Sequence, residues 1–519
     1  MSKAAFSVVA AGAVVLGLAF RLTWLDLRPM HHDEANQAVR FGQLLETGEY
    51  QYDRNDHHGP TLYYLTLPVA WARGQTTLAS LDERTLRFVP ALFGAGFILL
   101  LPLMTRGLGR GVVAAAMLLA ALSPALTYYS RFYIQEPVLL FFAAGFLMAL
   151  GRYAVGGGLA AALGAGMFGG LALATKETAA PILLAAVVAC LAARASVDRP
   201  MEQARPAGDR PWPRHRVAPV LAGVLVAAAI AMTFYSSFFS SRQGITEAIR
   251  SIAVYVQRGF EPGTHGEPWD YYVRLLGYSA SGGLVWTEGV VLALALAGAV
   301  FAWRKGTGGF WPRYVCLYST ITLVGFSVVR YKTPWNLLPF YGGFVVLAGF
   351  GAASVAGLVR SRAAKAILLA SLLAAGAQLG LQSWRANFRY PADPRNPYVY
   401  AHTVPDLLRL SQRVTDVAAL HPDRSGMLVK VIAGPYEQWP IPWYLRRMTH
   451  VGYWPSAADA GPLDDAPMVI AAQDQAGAVG AALGDRYVQE YYGLRPDVVL
   501  TLFIERASWD RFIASREPR

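Results

Sequence analysis

The chain has 519 residues, 54% of them hydrophobic and only 15% charged, with a formal net charge of +12. Soluble domains carry about 25% charged residues, so the deficit excludes an ordinary soluble protein and points to the membrane. The basic excess does not call for nucleic acid, because many Arg residues lie in short connections between apolar runs, the pattern of basic loops on one side of a membrane.

In chain order, apolar runs predict about 11 spans at roughly 4–21, 87–105, 111–128, 135–151, 158–174, 179–193, 217–235, 284–303, 314–329, 335–356 and 364–382. Several are shorter than the ~20 residues of a standard spanning helix. No A-x-A-like cleavage site follows the first run directly, which favours an uncleaved anchor over a signal peptide. Arg106/Arg110, Arg152, the 194–216 loop, Arg304/Lys305 and Arg360/Arg362/Lys365 fall on alternate connections. Placing that side in the cytoplasm puts the N-terminus inside. The loops 22–86 and 236–283, and everything after about 383, then lie outside. Cys190 and Cys316 both fall in apolar runs and read as small packing residues.

The tail, 385–519, has ordinary polarity. It alternates short apolar runs ("MLVKVIA", "APMVIA", "DVVLTLFIERASW") with a helical stretch ("VGAALGDRY"), which predicts a small α/β domain. The expected division is therefore a membrane region over 1–383 and a soluble domain over 384–519. There is no internal repeat, no Walker loop and no G-x-G-x-x-G before a helix, so nothing suggests a nucleotide site.

Five polar patches fall on the outer side of this topology. "HHDEANQA" holds His31, His32, Asp33 and Glu34 just beyond the first span. "YDRNDHHGPTLYYL" holds Asp56, His57 and His58. "YYSRFYIQEPVLLFF" places Arg131 and Glu136 at the turn between the third and fourth spans, with Pro137 suited to a first helical turn. "LATKETAAP" brings Lys176 and Glu177, and "VVRYKTPWNLLPFY" brings Arg330 and Lys332 beside Trp335. Ionisable groups near a membrane are functional candidates by default. Each patch also has a structural reading: Asp33-Glu34 as a helix cap, Arg131–Glu136 as an ion pair, Arg330 and Lys332 as headgroup anchors.

Taken together, these residues resemble the GT-C membrane glycosyltransferases, in the protein O-mannosyltransferase and aminoarabinose-transferase branch. Asp33-Glu34 matches the family's first-loop acidic pair, and Arg131 with Glu136 matches its Arg followed five residues later by an acid. "RFVPALFGA" (87–95) resembles its second-span motif, and "GLALATKE" (170–177) its Gly-rich span ending in Lys. "HHGPTLYYLT" stands where relatives carry a Lys-Pro-Pro-Leu-type stretch. With "RYKTPWN", the set is most similar to a prokaryotic subgroup labelled flippase-activity-associated. The resemblance covers about residues 1–350 and leaves the tail unexplained.

The resemblance implies an inverting enzyme of the prokaryotic inner membrane that moves a sugar from a polyprenyl phosphate to an acceptor hydroxyl. A carboxylate serves as base, and cations hold a leaving phosphate that needs no general acid. Asp33 is the expected base, with Glu34 in support and Glu136 facing the same cavity. Arg131, His57, His58, Lys176, Arg330 and Lys332 are the expected substrate contacts. The acceptor is left open among protein, lipid and glycan. A divalent metal is a further candidate, with His58, His32 and His265 as ligands. The competing readings are a flippase for lipid-linked sugar and a non-catalytic assembly subunit. A flippase would need charges near mid-membrane or interrupted helices in related halves, whereas these polar groups share one face.

Overall fold

The computed structural model describes residues 1–55, 58–197, 214–260, 266–304 and 308–516. The chain forms two compact units. The first comprises residues 1–25, 49–69 and 84–390; the second comprises 26–48, 70–83 and 391–519.

The first unit is a helical bundle. Among the described residues, seven helices are long and apolar enough to cross a membrane: Lys3–Leu22, Glu83–Leu108, Glu136–Ala154, Ala179–Ser196, Val217–Tyr235, Pro334–Leu358 and Arg362–Arg389. Two shorter apolar helices, Leu159–Leu173 and Gly289–Trp303, and the helix Phe310–Val328 stand where further spans are expected. Small residues let the helices approach closely, as is usual where lipid removes the hydrophobic drive between them. At the crossing of Gly289–Trp303 with Leu338–Leu358, a Cβ on Gly351 would collide with the Leu294 carbonyl, and one on Gly298 with that of Leu347.

Two expected spans are shaped differently. The run 111–128 is broken into Arg110–Leu122 and Pro124–Ser130, bent by 58°; counted as one span, the pair makes an eighth. Pro124 has no N–H to continue the ladder, and the Ser123 hydroxyl accepts from Leu126 N at 3.2 Å to start the second helix. The run 284–303 begins as a hairpin, β1 (Ser279–Ser281) and β2 (Leu284–Trp286), before its helix. Gly282 and Gly283 turn it with φ of 51° and 78°, the positive values that a type I′ turn requires.

The second unit is α/β, as the tail's pattern predicts. Its five-stranded sheet has the order β4-β3-β5-β7-β6, from β3 (Val429–Ile432), β4 (Val451–Trp454), β5 (Met468–Ala472), β6 (Tyr487–Arg495) and β7 (Val498–Glu505). The strand pairs β3–β4 and β3–β5 are parallel, and β5–β7 and β6–β7 antiparallel. Every residue of β3 and β5 is buried, as expected of strands covered on both faces. Leu407, Leu410 and Val414 cover one face with Phe512, while Val479 and Leu483 cover the other.

The unit is larger than the expected 384–519, because 26–48 and 70–83 fold into it. Specific hydrogen bonds do this. Tyr444 OH accepts from Met30 N at 2.7 Å, Trp443 Nε1 donates to Glu83 at 2.8 Å, and Arg446 donates to the Leu81 carbonyl at 2.8 Å. The partners are more than 350 positions apart in the chain.

Candidate active site

The acidic pair of the first loop lies in the second unit, at the N-terminus of the helix His32–Thr47. His31 is the N-cap: its Nδ1 accepts from Asp33 N at 3.1 Å, while Glu34 accepts from His31 N at 3.0 Å. This reciprocal arrangement is a capping box in which imidazole stands in for the usual hydroxyl. Because Nδ1 accepts, the ring proton belongs on Nε2, which faces the Tyr400 carbonyl at 3.0 Å. Burial pushes His31 below the usual histidine value, against the opposing charges of Asp33 and Glu34. Glu34 is fully buried and ion-paired with Arg28 at 2.9 Å.

The box therefore separates the two acids. Glu34 takes the N3 part of the capping role that the sequence offered to both. Asp33, in the first turn where the helix dipole favours a carboxylate, keeps 44% of its side chain exposed. His32, half-buried, sits with its ring 6.0 Å from Trp439 and 6.3 Å from Tyr436.

The other candidates belong to the first unit. Glu136 is the first residue of the helix Glu136–Ala154, followed by Pro137 as its position predicts. Its carboxylate forms a buried ion pair with Lys176. The neighbouring Glu177 points to a second pair of donors: His58 Nδ1 lies 2.9 Å from one oxygen, and Tyr52 OH donates to the other at 2.7 Å. Burial pushes the Glu177 carboxyl up, but His58 and Tyr52 outweigh it and hold the group below the ordinary carboxylate value. Gly59 makes this contact possible. A Cβ there would come within 2.6 Å of the Ala174 carbonyl carbon, and Thr61 N donates to the Ala174 carbonyl at 3.2 Å.

Arg131 was expected to hold Glu136 or a donor phosphate. It lies at the end of the helix Lys3–Leu22, donating to the carbonyls of Phe20, Arg21, Thr23 and Trp24 at 2.7–3.3 Å. That satisfies acceptors the helix leaves open at its C-terminus. Lys332 is buried and donates to the carbonyls of Glu267 at 3.0 Å and Val329 at 2.5 Å. Burial lowers its ammonium below the usual lysine value, partly offset by the charge of Glu267. Arg330, two residues earlier, is exposed.

Asp56, His57, His265 and Lys305, with most of the 194–216 loop, lie outside the described residues. Among the described residues no three His, Cys, Asp or Glu side chains converge as metal ligands. His58 is engaged with Glu177, and His32 faces aromatic rings.

Sequence reasoning missed Arg28 and Tyr52, the partners of Glu34 and Glu177. It also missed Glu288, a fully buried acid. Glu288 accepts from Ser123 Oγ at 2.7 Å and Ala125 N at 2.8 Å, and from Tyr341 OH, and so pins the helix break at Pro124. A lone acid inside the predicted 284–303 run was the available signal.

A family model described as dolichyl-phosphate-mannose-protein mannosyltransferase matches residues 66–204. The fold is similar to ArnT from Cupriavidus metallidurans bound to undecaprenyl phosphate, with a TM-score of 0.62 and 15% identity over 97% of this chain and 98% of that one. It is also similar to the Archaeoglobus fulgidus oligosaccharyltransferase, with a TM-score of 0.56 and 14% identity over 95% of this chain and 74% of that one. No curated protein matches its sequence significantly. The chain thus has the fold of the GT-C membrane glycosyltransferases. It shares that fold with ArnT along nearly its whole length, while the mannosyltransferase family model matches residues 66–204.

Proposed function

We propose that the protein is an inverting glycosyltransferase that moves a sugar from a polyprenyl phosphate to an acceptor hydroxyl on the outer face of a prokaryotic inner membrane. The observation that carries the reading is fold similarity along 97% of the chain to a protein holding undecaprenyl phosphate. The apolar runs support about 11 spans, and the distribution of Lys and Arg supports a cytoplasmic N-terminus and an extracytoplasmic second unit.

In this reading Asp33 is the base. The acceptor oxygen attacks the anomeric carbon as the bond from that carbon to the phosphate oxygen breaks. The hydroxyl proton passes to Asp33, and the bonding electrons leave on the phosphate. Glu34 fixes the helix start that presents Asp33. Lys332 is the foremost phosphate ligand: two of its three N–H groups meet carbonyls, which leave its charge intact and one donor for a phosphate oxygen. Arg330 and Lys176 add positive charge, with Glu136 orienting Lys176. His58, aligned by Glu177, contacts the donor.

The test is purified protein incubated with polyprenyl-phosphate sugars, following release of polyprenyl phosphate and of sugar. Asp33→Asn should lower transfer by about 10²–10⁴-fold while unfolding midpoint and donor affinity stay at the parental values. Transfer at the parental rate removes Asp33 from the chemistry.

A further inference from the structure

Beside Asp33, the second unit holds residues that neither the fold match nor the mechanism uses. The loop 434–440, "GPYEQWP", leaves the C-terminal end of β3. It carries Tyr436, 70% exposed, and the half-buried Trp439. Both rings flank His32, one residue before Asp33. Arg495, at the end of β6, donates from one nitrogen to the carbonyls of Tyr436 at 2.7 Å and Trp439 at 2.9 Å, which fixes the loop. Its Nε is buried with no hydrogen-bond partner among the described residues. Its guanidinium lies close enough to Asp33 and Glu437 to interact with both charges.

We infer that Tyr436, Trp439 and Arg495 form the acceptor subsite next to Asp33, and that the acceptor is a saccharide. This rests on the glycosyltransferase reading and adds the acceptor's class. An exposed aromatic surface beside a few fixed polar groups suits a ligand with one apolar and one polar side. A pyranose ring has that form: its C–H face lies on the rings, while its hydroxyls donate to Asp33 and Glu437 and accept from Arg495. The three charges sum to −1, which disfavours an anionic acceptor. A neutral ring also presents a hydroxyl at fixed distance from its stacked face, which is what a base on the adjoining helix needs.

The experiment uses the full chain in lipid nanodiscs free of glycoside detergents. Saturation-transfer NMR is recorded with maltose, cellobiose and a Ser/Thr-containing peptide as probes. At least one disaccharide should receive saturation on its ring protons. Its affinity should fall about tenfold or more in Tyr436→Ala and Trp439→Ala. Tyr436→Phe should keep it, because the stacking face remains, and so should Tyr491→Ala, an exposed tyrosine elsewhere on the same unit. Overturning results are no saturation of either sugar, equal binding in the double alanine variant, or binding of the peptide on this loop instead. Donor turnover is measured on the same samples. Turnover without sugar binding defeats the saccharide inference alone, whereas no turnover with any donor defeats the transferase reading. Comparing a bound disaccharide free in solution with the same sugar on a lipid then separates a soluble from a membrane-borne acceptor.

Discussion

Replacing Lys176 by Met should both destabilise the protein and slow it, and the two effects can be separated. Lys176 and Glu136 are 7% and 3% exposed, so water screens their attraction very little. Removing one partner of such a pair leaves a buried charge uncompensated, at a cost of about 3–5 kcal/mol. Glu136→Leu should cost a similar amount. The double variant Lys176→Met/Glu136→Leu removes both charges of the pair and should recover to within about 1 kcal/mol of the parent, since apolar replacement of a buried pair is often neutral. Turnover should not recover with it. If the Lys176 ammonium stabilises the departing phosphate, its loss removes about 2–4 kcal/mol from the transition state, or roughly 30–1000-fold in rate. The assays are the thermal unfolding midpoint in nanodiscs and release of polyprenyl phosphate from a lipid-linked sugar. A double variant that regains both stability and full turnover would show the pair to be purely structural. A Lys176→Met variant with an unchanged midpoint would refute the claim that burial couples the two charges.

Lys332→Ala should lower transfer by roughly 30–1000-fold with normal membrane insertion, and a change of only a few-fold would make Lys332 a helix anchor. Because burial depresses its pKa, its charge fades as pH rises through that lowered value, so Lys332→Arg, charged to beyond about pH 12, should move the alkaline limb of turnover upward; an unmoved limb assigns that limb to another group. His31 is likewise depressed in the folded state, so the unfolded chain binds the extra proton. The stability contributed by neutral His31 should therefore be present above about pH 6.5 and be lost as pH falls below it. His31→Asn, which can still cap, should flatten the fall in unfolding midpoint between about pH 7 and 5 relative to the parent, and parallel curves would contradict this. Glu34→Gln, which leaves Arg28 buried without its carboxylate, should cost about 3–5 kcal/mol, read as a lower unfolding midpoint that a mere surface acid would not produce.

The sequence by itself determined the class. Apolar runs and basic connections depend only on local composition, so they gave the helices, the α/β character of the tail and the polar patches between spans. Hydrophobic length is a property of a segment, which is why the helix Glu136–Ala154 and its Pro137 start were readable without neighbours. The motif residues were legible for the same reason, as short strings in order. What each one touches was not, because partners come from distant positions. Asp33 and Glu34 are adjacent and look alike in sequence. Only the capping box and Arg28 bury one while leaving the other accessible. Arg131 and Glu136 were matched by spacing, yet the tertiary structure gives Arg131 the open carbonyls at the end of the first span and gives Glu136 to Lys176. The inclusion of 26–48 and 70–83 in the second unit was likewise decided by hydrogen bonds across more than 350 residues. Periodicity carries no information about such contacts. Burying a charge forces it to find a partner, but which partner is in reach depends on how the chain returns on itself.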